Sequence, residues 1–501
     1  MENRPGSFWL ESATRDPYPQ MEGDRSFDVA VLGGGLCGIT TALLLKREGA
    51  RVAVVEAGSV GGGATGCTTA KISSLHSQIY SQLRSRFGRD GARAYGAANE
   101  AAIDRMEQLV GELGIDCDFR RKPNYTYTQS AAEVDSLRDE AEAAQDAGLP
   151  ASFVTELDLP FAVDGAVRFE NQAEFHPIKY LAALARSVAG DGSEIFEHTP
   201  ALDVGGGSPR SVETRHGTIT ADHVVVATHF PFLDRGGFFA RMHPERSYVV
   251  AARLRSPAPA GMYISVDSPT RSIRVTPHDG GELLLVGGEG HKVGQEPDTE
   301  ARYRALADWM PEHFDVGEVE WRWSTQDPIP GDHVPYIGRL HPGAEGLYVA
   351  TGFAKWGMAH STVAATILTD LIGGRENPWA ELYDATRIKP SASAKGFIKE
   401  NLNVAKRFVR DRLSHPDSRP ELEAVERGEG AIVTVEGKKV AAYRDDSGEL
   451  QLLSPACTHL GCLVAWNPAE RSWDCPCHGS RFATDGTVLE GPTVEPLDRI
   501  E

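Results

Sequence analysis

Residues 27–56 read FDVAVLGGGLCGITTALLLKREGARVAVVE: an apolar strand, a glycine turn, an apolar-striped helix ending at Gly49, and a second apolar strand closed by an acid. The pattern predicts one complete βαβ unit. Further on, 247–255, 261–266, 272–276 and 282–286 are short β-branched or apolar runs separated by turn residues, and predict strands. Residues 74–120 and 129–147 are polar, Ala-rich and helical in period, and are expected to pack around the outside. Pro390, Ser391, Ser393, Pro416 and Pro420 surround a helical run at 395–413, which predicts a linker over 386–420. The basic bias of that run could mark a membrane-surface helix, but docking on an acidic body is the commoner use.

At 501 residues the chain should hold about three structural units, since a domain usually takes ~100–200. Composition is ordinary for a globular protein, with 41% hydrophobic and 24% charged residues. The longest uncharged run, Val29 to Leu45, carries four glycines and is short for a membrane span. Acidic residues exceed basic ones by 71 to 51, so the surface repels phosphate backbones and anionic lipid, and neither nucleic acid nor a membrane is an expected partner. The polar N-terminus lacks the apolar stretch of a secretory signal, which sets a cytoplasmic expectation.

Gly33, Gly35 and Gly38 stand at G-x-G-x-x-G spacing. The first permits the tight turn, the second lets a pyrophosphate approach the backbone at the helix N-terminus, and the third lets helix pack on strand. Glu56 is placed to accept hydrogen bonds from an adenosine ribose. FAD and NAD both use this fingerprint. The segments AGSVGGGATGCTTAKIS (57–73), VVVATHFPF (224–232), WSTQDPIPGDHVPYIGRL (323–340) and GLYVATGFAKWGMAHS (346–361) are more specific. Together they resemble the D-amino-acid-oxidase-like FAD-dependent oxidoreductases, over about 25–375. The resemblance implies an α/β fold: a Rossmann-like FAD-binding domain over 1–385 with an inserted antiparallel-sheet substrate lid around 74–220 and 240–320. It also implies FAD contacts at Gly63, Ala64, Thr65, Thr228, Gly338, Gly352, Gly357 and Met358.

Seven cysteines occur, and four of them crowd with two histidines near the C-terminus: CTHLGC (457–462) and CPCHGS (475–480). Cys457 with Cys475, and His459 with His478, make the mixed set a Rieske [2Fe-2S] centre needs; Cys2His2 zinc is the other reading of the same ligands. The glycines and proline of both boxes also match the Rieske signature, so 421–501 resembles a small all-β Rieske domain. That resemblance implies a Cys462–Cys477 disulfide, as in Rieske proteins of cytochrome b complexes, and places Ser480 where its hydroxyl bonds a bridging sulfide. Phe482 stands where that family normally has Tyr, so one hydrogen-bond donor is missing. A potential below respiratory examples is expected, inside the Rieske span of about −150 to +300 mV.

The order flavin domain, linker, Rieske domain resembles a bacterial family of fused FAD–Rieske oxidoreductases. It implies oxidation of a small amine-like substrate next to nitrogen, with electrons leaving singly to a carrier protein or quinone. An electron-transfer protein whose cluster feeds its flavin, and an oxygen-using oxidase, are the alternatives. Lys71 and Lys355 are the candidate catalytic residues: each lies in a flavin-facing segment, where an ammonium could stabilise reduced flavin or bind a carboxylate, unless it is simply a surface lysine. Where sarcosine oxidases carry a carboxylate-binding Lys this chain has Ala359. Trp356 is a candidate pocket wall or core residue, His76 a candidate second pocket residue or structural histidine, and Cys67 a candidate covalent flavin link or buried inert thiol.

Overall fold

A computed structural model describes residues 6–388 and 422–500. The predicted linker helix at 395–413 lies outside them. The N-terminal unit forms as its pattern predicts: strand Arg25–Leu32, helix Leu36–Arg47, strand Val52–Val55. These strands join Gly217–Val226, Leu347–Thr351 and Glu194–Phe196 in a parallel sheet, edged by antiparallel Tyr336–Arg339. Side chains alternate across the sheet: Val29 and Val31 enter one core and Ala30 and Leu32 the other, which is why the strand is apolar throughout.

Above it stands a nine-stranded sheet containing Val316–Pro330, Met242–Leu254, Gly281–Lys292, Arg271–His278 and Met262–Ser265, which pair antiparallel. One seam departs from the expected antiparallel lid. Met262–Ser265 runs parallel to Arg120–Thr128, because two halves of the sheet, contributed by distant stretches of chain, meet there. The helical region at 74–120 becomes Tyr80–Leu113, broken at Gly88 (φ 74°, ψ −179°), and yields to strand at Arg120.

The C-terminal domain is all β: a three-stranded sheet of Gly430–Val435, Lys438–Arg444 and Leu450–Leu453, and a four-stranded one of Ala465–Asn467, Ser472–Asp474, Arg481–Phe482 and Val488–Glu490. It is docked on the lid. Ala469 packs in one apolar cluster with Tyr248, Tyr303 and Leu306, and Tyr303 donates to Glu470 Oε1 at 2.8 Å. Among the described residues no helix is long and apolar enough to cross a membrane.

Candidate functional site: two redox centres across one seam

Gly33 turns the chain with φ +112°, and a Cβ there would meet Ala227 O at 2.4 Å; at Gly38 it would meet Gly33 O at 1.9 Å. Both positions therefore demand glycine. Thr65 Oγ1 accepts from Leu36 N at 3.0 Å, tying the second glycine segment to the start of the helix. Glu56 accepts from Gly34 N and Gly58 N, each at 2.7 Å, while burial pushes its carboxyl above the usual range.

A chamber of ≈ 1500 Å³ opens from this turn, larger than the about 300–1,000 Å³ of ordinary small-molecule sites, so it has room for a dinucleotide and a substrate. Gly33, Gly35, Glu56, Gly63, Ala64, Thr65, Thr228, Gly357 and Met358 line it. Gly338 and Gly352 do not. A Cβ on Gly352 would press on Pro330 Cγ at 2.7 Å, and Gly338 (φ +136°) faces Ala385; both shape the backbone behind the wall rather than the wall itself. The residues present fit FAD: the cradle is open at Gly63, where a Cβ would meet nothing within 4 Å, and the Glu56 carboxylate lines the chamber beside the glycine turn.

Lys71 and Lys355 both line the chamber. Lys71 Nζ donates to Tyr263 O and Ser272 Oγ, each at 2.6 Å, and burial lowers its pKa to about 7. Lys355 (φ +73°) is paired with Glu245 Oε2 at 2.9 Å; Glu245, bonded also by His243, is held well below the usual carboxylate range. Trp356 lines the chamber and stacks on His76 at 4.6 Å, so His76 sits behind that wall, with Nδ1 at 2.6 Å from Tyr95 OH. Cys67 reaches the chamber, and burial pushes its thiol up to about 12, away from the thiolate form. Ala359 is buried in the helix Gly357–Ile372.

At the other centre, Cys462 and Cys477 form a disulfide, and both are buried, the shielding that such a bridge needs in a reducing compartment. The sulfurs of Cys462, Cys475 and Cys477 lie within 4.8 Å of one another. With two of these spent on the bridge, the thiols left for iron are Cys457 and Cys475. Cys475 draws the Cys457 pKa down to about 6 and is itself pushed well above the thiol range by the same bond. The two imidazoles meet edge to face at 5.0 Å, and burial lowers the His478 pKa to about 4, keeping the ring neutral as a ligand must be. His459 Nε2 donates to Asp234 Oδ1 at 3.0 Å, leaving Nδ1 buried without a hydrogen-bond partner. That orphaned nitrogen opposite two thiols fits the iron–sulfur set. Ser480 Oγ bonds to Cys457 and accepts from Thr493 N at 3.3 Å; Phe482 is fully buried.

Asp234 belongs to the flavin body, and its partnership with a cluster ligand has no counterpart in the sequence motifs. Neither has Gln326, whose Nε2 donates to Gly479 O at 2.6 Å beside His478, while its own carbonyl accepts from His229 Nε2 at 2.7 Å. His229 and the neighbours of Gln326, Thr325 and Asp327, line the chamber. Phe239 presents an edge to His478 at 5.7 Å. Beneath this seam the buried Arg246 and Asp474 and the half-buried Glu470 and Arg481 form an ionic cluster, with Arg481 Nε on Asp474 Oδ1 at 3.0 Å and Ser324 Oγ on Glu470 Oε1 at 2.9 Å. Burial opposes the Asp474 charge, but Arg481 and Arg246 outweigh it and hold the carboxyl below its ordinary range.

The comparisons agree with this two-centre arrangement. The family model for FAD dependent oxidoreductases matches residues 28–371, and that for the Rieske [2Fe-2S] domain matches 420–501. Over 99% of the chain and 98% of the relative, the sequence is 39% identical to the Bacillus subtilis (strain 168) protein YhfW, named as a Rieske 2Fe-2S iron-sulfur protein. The structure of glycine oxidase from Geobacillus kaustophilus covers 73% of this chain and 99% of its own, with TM-score 0.63 at 23% identity. A 45-residue stretch is 53% identical to cytochrome b6-f complex iron-sulfur subunit 3 of Nostoc sp. (strain PCC 7120), covering 9% of this chain and 25% of that one. The chain belongs to the FAD-dependent oxidoreductases and carries, at its C-terminal end, a Rieske [2Fe-2S] domain.

Proposed function

We propose that the protein is a dehydrogenase that oxidises an amine or amino-acid-like substrate at the carbon next to nitrogen, and that the electrons leave singly, through the Rieske domain, to a carrier protein or quinone. When bound, FAD supplies two-electron hydride acceptance and the cluster one-electron transfer. The observation that carries the reading is the continuous path from His229 on the chamber wall, through the Gln326 behind it, into the cluster loop at Gly479. Relatives named glycine oxidase and gamma-glutamylputrescine oxidoreductase support a C–N substrate.

Within the chamber, Lys71 and Lys355 are our candidates for the groups that orient substrate. Lys355 is neutralised by Glu245, and Lys71 is held by a carbonyl and a hydroxyl, with a pKa near neutrality that lets it gain or lose a proton at Nζ. Trp356 closes the pocket as an aromatic wall. A chamber whose Lys355 charge is already matched by Glu245 suits an uncharged or cationic amine better than a free carboxylate.

The test is an anaerobic screen of amines and amino acids that follows flavin absorbance and the cluster's electron paramagnetic resonance together. The expected result is flavin bleaching accompanied by cluster reduction, without stoichiometric peroxide when air is admitted. Bleaching that never reaches the cluster, or reduction by a ferredoxin alone, overturns the reading.

A further inference from the structure

The C-terminal domain does more than approach the chamber. Val488, Leu489, Glu490, Gly491, Thr493 and Val494 line it together with Gly33, Glu56 and Gly63 of the nucleotide-binding domain. The other side of the same segment is fixed to the cluster loops: Thr493 N donates to Ser480 Oγ, Thr458 Oγ1 lies 2.6 Å from Thr493 Oγ1, and Val488 pairs with Phe482. One stretch of backbone thus separates the two cofactor positions.

Leu489 is 53% exposed, one of few large apolar side chains so placed among the described residues, and it lines the chamber. An apolar side chain left open on an inner wall gains from burial once the chamber is filled. The segment's acids do not oppose an anionic occupant. Glu490 is turned to Arg481 at 3.6 Å, and Glu495 to Arg215 at 3.7 Å, the latter a chamber residue from the hairpin of the nucleotide domain.

We infer that residues 487–496 of the Rieske domain are part of the FAD-binding site, closing the open side of the groove with Leu489 and Val494 against the cofactor. Docking of the domain and retention of FAD are then linked, and linkage is reciprocal: whatever tightens one tightens the other. The inference rests on FAD occupying the chamber and is independent of substrate and of electron direction.

Hydrogen exchange on cluster-loaded protein, with and without FAD, tests it. The expected result is that FAD slows exchange both in the peptide spanning 33–38 and in that spanning 487–496. Slowing at 33–38 alone overturns the inference while leaving the FAD chamber intact; slowing at neither overturns the placement of FAD as well. As a second arm, Leu489→Asp should weaken FAD binding at least tenfold, measured by fluorescence of released flavin, with the cluster resonance unchanged, whereas Leu489→Met stays within about twofold. Wild-type FAD affinity in Leu489→Asp overturns the inference. If that variant loses its cluster, the exchange experiment decides.

Discussion

The proposed cluster ligands all lie between Cys457 and His478, whereas the FAD chamber draws its walls from Leu10 to Pro496. The first site is a local object: two turns, each giving one Cys and one His, tied by a disulfide. The second is a product of topology, with a glycine turn at one end of the chain, a lid from its middle and a wall from its last domain. A local site should survive damage elsewhere, and a distributed one should register it from many directions.

The sharpest break of this comparison is a pair of variants. Gly38→Val drives a side chain into Gly33 O and is expected to abolish FAD binding with the cluster resonance retained, while Cys475→Ser is expected to abolish the resonance and to weaken FAD binding only through the wall of residues 487–496, without abolishing it. Flavin and iron content of the purified variants check both; joint loss in either would mean that the sites do not fold independently. A smaller effect is expected at Lys71, whose folded pKa of about 7 lies below its unfolded value of 10.5. Between these values the unfolded chain holds a proton that the folded chain lacks, so this group makes stability rise with pH, by up to about 1.4 kcal/mol per pH unit. Denaturant titrations at pH 7 and pH 9 should show this slope in the wild type and lose it in Lys71→Met; equal slopes would place the lysine in contact with water. The smallest effect is expected from Asp234→Asn. Removing a carboxylate charge from His459 Nε2 favours the reduced cluster and should raise its midpoint potential by about 59 mV, a tenfold shift for one electron. An unchanged or lower potential in a redox titration would remove Asp234 from the cluster's electrostatics.

The same contrast explains what could be read from the chain. Gly33 and Gly38 were legible as backbone requirements, because a side chain at either position would strike neighbouring main chain. The cluster residues were legible because ligand chemistry dictates their spacing. Gly338 and Gly352 were misplaced because a left-handed glycine in a flavin-facing motif can serve the turn instead of the ligand, and sequence does not separate the two. Asp234, Gln326 and Glu470 carried no signal: each acquires its role from a partner more than a hundred residues away. One clue did exist. Arg246 sits in the strand Met242–Leu254 and is fully buried, and a charge inside such a strand demands a carboxylate partner, here Asp474 at 3.9 Å. The strand Gly165–Glu174 and the helix Pro177–Val188 were not assigned: polar residues interrupt the apolar run of the first, and the second, with Pro177 at its start and an apolar stripe, was legible and missed.

The cap on His459 also fixes which way the iron centre looks. With one imidazole turned onto Asp234 and the other flanked by Phe239, the histidine edge points into the protein, and Leu460, 44% exposed, is the tip residue left to solvent. An aliphatic knob, and not an imidazole, is therefore what the cluster loop presents outward, while both histidine rings are spent on contacts with the larger domain.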